Sequence, residues 1–267
     1  MAADLPVRAP VVPPPPLPVC IWCGFYVGVN GGGAWTRSQS LPYLETNLGA
    51  FNFAGEFGPL PQRSGPFAGG QAGINWQWGM FVAGAELDAQ AARISSAVTT
   101  TITPYLGPGT FISIATQQRI DYFGTARGRL GIAFGAPGWG PGTWGSFLVY
   151  ATGGFAYAGV RDGFAMISNG DGDDPTLATN FGSNGRIGAA AGAGVEWMFL
   201  PNWSLKGEYQ YIALKSGPRV AVAEFTPTEA IPFVLNRTDP AVHLHTFRVG
   251  LNYHFTLAPT APVVARY

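Results

Sequence analysis

Few residues of this chain have types and spacings that could do chemistry. Cys20 and Cys23 are the only cysteines and stand as Cys-Ile-Trp-Cys. A redox pair at that spacing needs a helix start behind the first thiol to lower its pKa, whereas a strand-like run follows here. Heme attachment would need His where Gly24 stands. The spacing therefore predicts a small disulfide clasp in an oxidising compartment. His243 and His245 lie two apart and so share one face of a strand, where they could hold a metal or ligate hemin. Without a cysteine or carboxylate at ligand spacing we expect no resident cofactor or metal, with hemin as the one alternative. Asn169-Gly-Asp171-Gly-Asp173-Asp174 resembles a calcium loop in its alternate oxygens but lacks the closing Glu and flanking helices, and reads as a solvated acidic loop.

What remains is charge. Glu86, Asp88, Glu196 and Glu208 face Arg127, Arg129, Lys206 and Arg248 in number, four acids to four bases, each set in an otherwise apolar or small-residue run. Ionised groups in a dry interior persist only when paired and hydrogen-bonded, so these eight are expected to neutralise one another. The elements that must carry them are strands. From His243 to Phe255 the odd positions Phe247, Val249, Leu251, Tyr253 and Phe255 are apolar, while Thr246, Arg248, Gly250, Asn252 and His254 alternate with them. That is a period of two, and about 9 to 11 residues of it suffice for a tilted strand to cross a bilayer.

The same period recurs about eight times from Phe25 onward. We place strands at Gly24 to about Ser38, Phe67 to Trp78, Phe81 to Arg93, Ile120 to Phe134, Phe147 to about Gly159, Arg186 to Phe199, Trp203 to Tyr211, and the last run. Long Gly-, Pro- and Thr-rich loops are expected at about 39–66, 94–118 and 160–184, with a fourth before the last strand. The short turns are Gly79-Met80 and Leu200-Pro201-Asn202, and Gly135 to Ser146 breaks the pattern of short connections at that end.

Composition supports a membrane environment. Charged residues make up only 11% of the chain, against roughly 25% in ordinary soluble domains. No run of about 18 apolar residues exists, which excludes a spanning helix. The fold class expected is all-β: an eight-stranded antiparallel up-and-down transmembrane β-barrel with short periplasmic turns and long extracellular loops. Phe25, Trp78, Phe81, Phe134, Phe147, Phe199, Trp203 and Phe255 all fall at the short-turn ends and form one interfacial aromatic girdle.

Counted from that girdle, the charges fall in layers. Glu86 and Arg129 lie five residues from Phe81 and Phe134, with Asp88 and Arg127 at seven. Glu196 and Lys206 lie three from Phe199 and Trp203, Glu208 five from Trp203, and Arg248 seven from Phe255. An eight-strand barrel is just wide enough for side chains to fill, so a salt-bridged, plugged lumen is expected, with Glu86 paired to Arg129 and Arg248 reaching Glu208 or Asp88. Net charge is zero, which offers nucleic acid no electrostatic footprint. The start of the sequence has neither a basic n-region nor an apolar h-region, so an export signal is taken to have been removed.

The motifs Trp22-Cys-Gly-Phe25-Tyr-Val-Gly28, Gly124-Thr-Ala-Arg127-Gly-Arg129-Leu-Gly, Ala193-Gly-Val-Glu196-Trp, Asn202-Trp-Ser-Leu-Lys206-Gly-Glu208-Tyr-Gln-Tyr and Arg248-Val-Gly-Leu-Asn-Tyr-His-Phe255 resemble the alphaproteobacterial outer-membrane β-barrel proteins of the Omp25/Omp31 type. These are related in fold to the OmpA transmembrane domain. The resemblance covers about residues 20 to 255 and departs from the family at Cys23, where Thr is usual, and beyond Phe255, where members normally end. It implies three regions: a Pro-rich periplasmic segment over 1–23, the barrel over 24–255, and a C-terminal extension over 256–267. It further implies a location in the bacterial outer membrane, partners in outer-membrane lipid and lipopolysaccharide, and insertion by the barrel-assembly machinery. Together with the charge reading, we expect a monomeric, non-enzymatic structural envelope protein that does not bind nucleic acid. A small-solute porin or hemin-binding receptor, as some relatives are described, is the alternative.

Overall fold

A computed structural model describes residues 20–37, 39–47, 52–60, 62–102, 111–135, 145–168, 176–216, 219–224, 233–238 and 241–255. The Pro-rich start, the acidic stretch Asn169 to Asp174 and residues 256–267 lie outside this set. Among the described residues there are twelve strands: β1 (Gly24–Thr36), β2 (Gln39–Asn47), β3 (Asn52–Leu60), β4 (Ser64–Trp78), β5 (Phe81–Ile102), β6 (Ile112–Phe134), β7 (Ser146–Ser168), β8 (Thr176–Leu200), β9 (Trp203–Leu214), β10 (Arg219–Glu224), β11 (Phe233–Thr238) and β12 (Val242–Phe255). Eight of them form a closed ring in the order β1-β12-β9-β8-β7-β6-β5-β4. Every neighbouring pair in that ring is antiparallel. Closure is made by β12 against β1, with Phe255 opposite Phe25. Each strand of the ring has a hydrogen-bonded neighbour on both sides, as backbone groups facing hydrocarbon require.

Two of the turns depend on left-handed backbone. Gly79, in the two-residue turn between Trp78 and Phe81, has φ 59°, and Asn202, between β8 and β9, has φ 71°. Asn is the non-glycine residue that tolerates this region best. Asn202 also donates from Nδ2 to the His254 carbonyl at 2.6 Å, tying the turn to β12.

The expected loops need correction. Residues 39–66 are not one long loop: β2 and β3 lie within them and pair with β10 and β11 in a second sheet of order β10-β11-β2-β3. The loops expected over 94–118 and 160–184 are largely strand, because β5 and β6 stay paired to Ile102 and Ile112, and β7 and β8 to Ser168 and Thr176. The β-branched run Val98-Thr-Thr-Thr-Ile102 favours this continuation. A bilayer sets a minimum strand length and no maximum, so a reading based on bilayer thickness ended these strands too early.

The two faces divide as the alternation requires. Val27, Val29, Leu87, Leu130, Val149, Phe155, Ile187, Val195, Leu205, Phe247, Val249 and Leu251 are exposed on the outside, and the inward positions between them are buried. The inward face, however, is not polar throughout. At the short-turn end Trp22, Val82, Leu148, Tyr150 and Met198 form a buried apolar cluster. Toward the other end Phe67, Ile94, Ile120, Phe123, Val160, Ile212, Leu214, Val242 and Leu244 form another. Eight buried charged residues, Glu86, Asp88, Arg127, Arg129, Glu196, Lys206, Glu208 and Arg248, lie between them, while the buried pair Arg186 and Asp162, 3.3 Å apart, lies at the far end. A lumen only as wide as its side chains packs like any protein core, and apolar residues are its ordinary filling.

Candidate functional site

The site is the middle layer of the lumen, and the inward parity of five strands builds it. Glu86 and Asp88 come from β5, Arg127 and Arg129 from β6, Glu196 from β8, Lys206 and Glu208 from β9, and Arg248 from β12; all eight are buried. Glu86 is the hub. Its carboxylate accepts from Lys206 Nζ at 2.7 and 2.8 Å, Arg127 Nη2 at 2.7 Å, Arg248 Nη2 at 3.1 Å and the Tyr26 hydroxyl at 2.7 Å. Asp88 accepts from Arg127 at 2.9 Å, Arg248 at 3.1 Å, and the Thr125 hydroxyl and amide at 2.5 and 3.0 Å. Glu208 accepts from Arg127 at 2.5 Å, Arg248 at 2.8 Å and the Tyr150 hydroxyl at 2.8 Å.

Glu196 belongs to a second centre closer to the short turns. It accepts from Arg129 at 2.6 Å, Ser204 at 2.5 Å and Asn252 at 2.7 Å, with His254 Nε2 at 3.3 Å. Arg129 also donates to the Tyr26 oxygen at 2.9 Å and lies 4.0 Å from the centre of the Tyr150 ring. Each carboxylate thus has several donors, the condition under which buried charge is tolerated.

The expected partners are partly redistributed. Arg248 reaches both Glu208 and Asp88, and Arg127 reaches Asp88. Glu86 and Arg129, expected to pair, approach only to 3.9 Å, while Arg129 bonds Glu196. The cause is register: Phe81 lies opposite Ile132 rather than Phe134, which moves β6 by two residues and sets Arg127 opposite Glu86. Glu196 and Lys206 are backbone partners, as their equal count from the turn requires, but the long Lys206 side chain crosses to Glu86.

The eight residues of the expected girdle are all exposed on the outer surface at the short-turn end. Phe25 and Phe255 stand 6.0 Å apart, and Phe147 stacks on Trp197 at 6.0 Å. Cys20 and Cys23 are joined as a disulfide. His243 and His245 lie on the outside of β12, where Tyr211 and Tyr209 hydroxyls meet their Nδ1 atoms at 2.7 and 2.6 Å. Among the described residues no three His, Cys, Asp or Glu side chains are gathered as a metal site.

Sequence reasoning missed several members. Tyr26, Tyr150, Ser204, Asn252 and His254 all contribute to the network. The signal was available for Tyr26, which shares the parity of Gly28 and Asn30 and is therefore inward. Trp22, assigned with the Pro-rich segment, is wholly buried beneath the barrel and donates from Nε1 to Ser146 at 3.0 Å. A second set of outward aromatics, Trp35, Tyr122, Tyr157, Tyr209 and Tyr211, stands at the far end of the apolar band. Ser204, His254 and Glu196 include the residue types of a hydrolytic triad but not its geometry. Hydroxyl and carboxylate both meet the same His254 nitrogen, Nε2, so no acid orients the ring from its other side.

Residues 24–255, the span of the ring, match the family model described as outer membrane protein beta-barrel domain. The chain belongs to that family. It is 31% identical over 258 residues to the 31 kDa outer-membrane immunogenic proteins of Brucella melitensis biotype 1 and Brucella suis biovar 1, covering 96% of this chain and 93% of each relative. These are proteins of the Omp25/Omp31 type expected from the motifs, and family membership places the barrel in the outer membrane, among its lipids. Solved structures similar in fold include the attachment invasion locus protein of Yersinia pestis, at 12% identity and TM-score 0.33, covering 87% of this chain and 99% of that one. The outer membrane protein OprG from Pseudomonas aeruginosa matches at 12% identity and TM-score 0.39, covering 87% and 97%.

Proposed function

We propose that the family member described here is a non-enzymatic structural component of the outer membrane, a monomer inserted by the barrel-assembly machinery, whose lumen is closed to solutes. The observation that supports this reading is the three-layer interior: a charge network with several donors on each carboxylate, between two buried apolar clusters. An ion entering the lumen would have to displace packed apolar side chains and then break paired charges. Conduction instead requires sites that bind an ion weakly enough to release it. The strands that continue past the apolar band carry the external hairpins, which are the parts available to the surroundings.

Single-channel recording of the purified, refolded protein in planar bilayers tests the closed lumen. The expected trace stays at the lipid baseline, and sustained stepwise conductance would overturn the reading in favour of a small-solute porin.

A further inference from the structure

The outer wall carries a charged cluster that the lumen does not use. Arg119 on β6 and Arg161 on β7 are direct backbone partners, and both side chains face outward, 48% and 67% exposed. Like charges directly opposite on one face of a sheet repel. Here Asp121 stands between them, its two carboxylate oxygens taking Arg119 Nε at 2.5 Å and Arg161 Nε at 2.7 Å.

Asp121 reaches that position through a bulge. Ile120 pairs with Val160 and Tyr122 with Gly159, so Asp121 is the extra residue against β7. On the other side Ala91 pairs with Tyr122 and Ile94 with Ile120, which sets Ala92 and Arg93 of β5 against Asp121. The irregularity turns both Asp121 and Tyr122 outward and brings the exposed Arg93 beside them. Bulges re-aim side chains in this way and are built features rather than defects. Arg119 and Arg161 thus share one carboxylate, and with the exposed Arg93 on the neighbouring strand the cluster sets three positive charges against one negative.

The height of the cluster identifies what it meets. The apolar band of an outer-membrane barrel is about 25 Å tall, which strands tilted by roughly 40° cross in about ten residues. Arg93 lies twelve residues past Phe81, and Arg161 fourteen past Phe147. Directly below on these three strands are the exposed rings of Tyr122 and Tyr157, and then Leu87, Phe155 and Leu130, with Phe155 78% exposed. A ligand spanning both zones has acyl chains below and an anionic group above.

We propose that the wall formed by β5, β6 and β7 is a binding site for a phosphate-bearing lipid headgroup of the outer leaflet, with Arg93, Arg119 and Arg161 as its phosphate ligands. Guanidinium groups match phosphate oxygens in planar, bidentate fashion, and phosphate relieves the repulsion that Asp121 only partly offsets.

The test uses the full chain refolded in detergent micelles, with native mass spectrometry counting retained lipid during separate titrations. The probes are bisphosphorylated lipid A, the same lipid with its phosphates removed, phosphatidylcholine, and inorganic phosphate as competitor. The phosphorylated glycolipid is expected to bind about tenfold more tightly than its dephosphorylated form, the effect of a lost charge-assisted bidentate contact. The R119Q/R161Q double variant is expected to abolish that difference, whereas R119K/R161K retains part of it. Lys215→Gln, an exposed cation elsewhere on the barrel, is expected to leave it unchanged. Folding of each variant is checked by its heat-dependent gel mobility. Equal retention of both glycolipid forms, or a preference that survives R119Q/R161Q in a folded barrel, would refute the site. Full displacement of the lipid by inorganic phosphate at equal concentration would overturn the lipid headgroup as its ligand.

Discussion

Glu86 shows how one buried charge is made tolerable. Three cations and a tyrosine hydroxyl donate to it, so removing the carboxylate leaves several donors buried without an acceptor. Breaking one partner of such a cluster typically costs about 3–5 kcal/mol. Glu86→Gln is accordingly expected to lower the urea midpoint of refolding markedly, and an unchanged midpoint would show that the network contributes nothing to folding. Pair assignments can be checked separately by double-mutant cycles. Arg129 should couple strongly to Glu196, at 2.6 Å, and weakly to Glu86, at 3.9 Å. Similar coupling energies would contradict the register of β5 against β6. Trp22→Ala is expected to cost about 3–5 kcal/mol, as for other buried aromatic truncations. It should still leave the barrel non-conducting, because the apolar cluster at the far end of the lumen is untouched.

At the scale of strands, glycine gives the rings their seats. Tyr26 lies over Gly73, Tyr150 over Gly194, Tyr122 over Gly159 and Tyr157 over Gly124, each ring meeting its backbone partner on the adjacent strand. A Cβ at Gly73 would collide with the Tyr26 ring that bonds Glu86, whereas one at Gly33 meets nothing within 4 Å. Gly73→Ala is therefore expected to reduce refolding yield well below that of Gly33→Ala, measured as the fraction of heat-modifiable barrel. Equal yields would show that the Tyr26 seat is not required. The abundance of glycine was plain in the sequence, but which glycines carry rings depends on register. Register in turn depends on the bulges at Ala91/Ile94, Ile120/Tyr122 and Met198/Leu200.

For the whole molecule, closure of the ring predicts a barrel that survives detergent at room temperature and unfolds only on boiling. A gel band whose mobility is the same before and after boiling would count against it. The two proposals concern opposite faces of the wall, the closed lumen inside and the cluster at Arg119 outside. The first predicts no conductance, and the second predicts selective retention of phosphorylated lipid.

The sequence by itself determined that eight strands alternate, that the apolar side of β12 is Phe247, Val249, Leu251, Tyr253 and Phe255, and that eight charges share the opposite parity. These follow from the fixed period of two along a strand, which is a local property. Only the tertiary structure decided that Glu86 bonds Arg127 and Lys206 closely and meets Arg129 at 3.9 Å, that Trp22 is buried, and that Asp121 bridges two arginines. Those contacts depend on how far one strand slides past the next, and a shift of two residues keeps every side chain on its face while exchanging every partner.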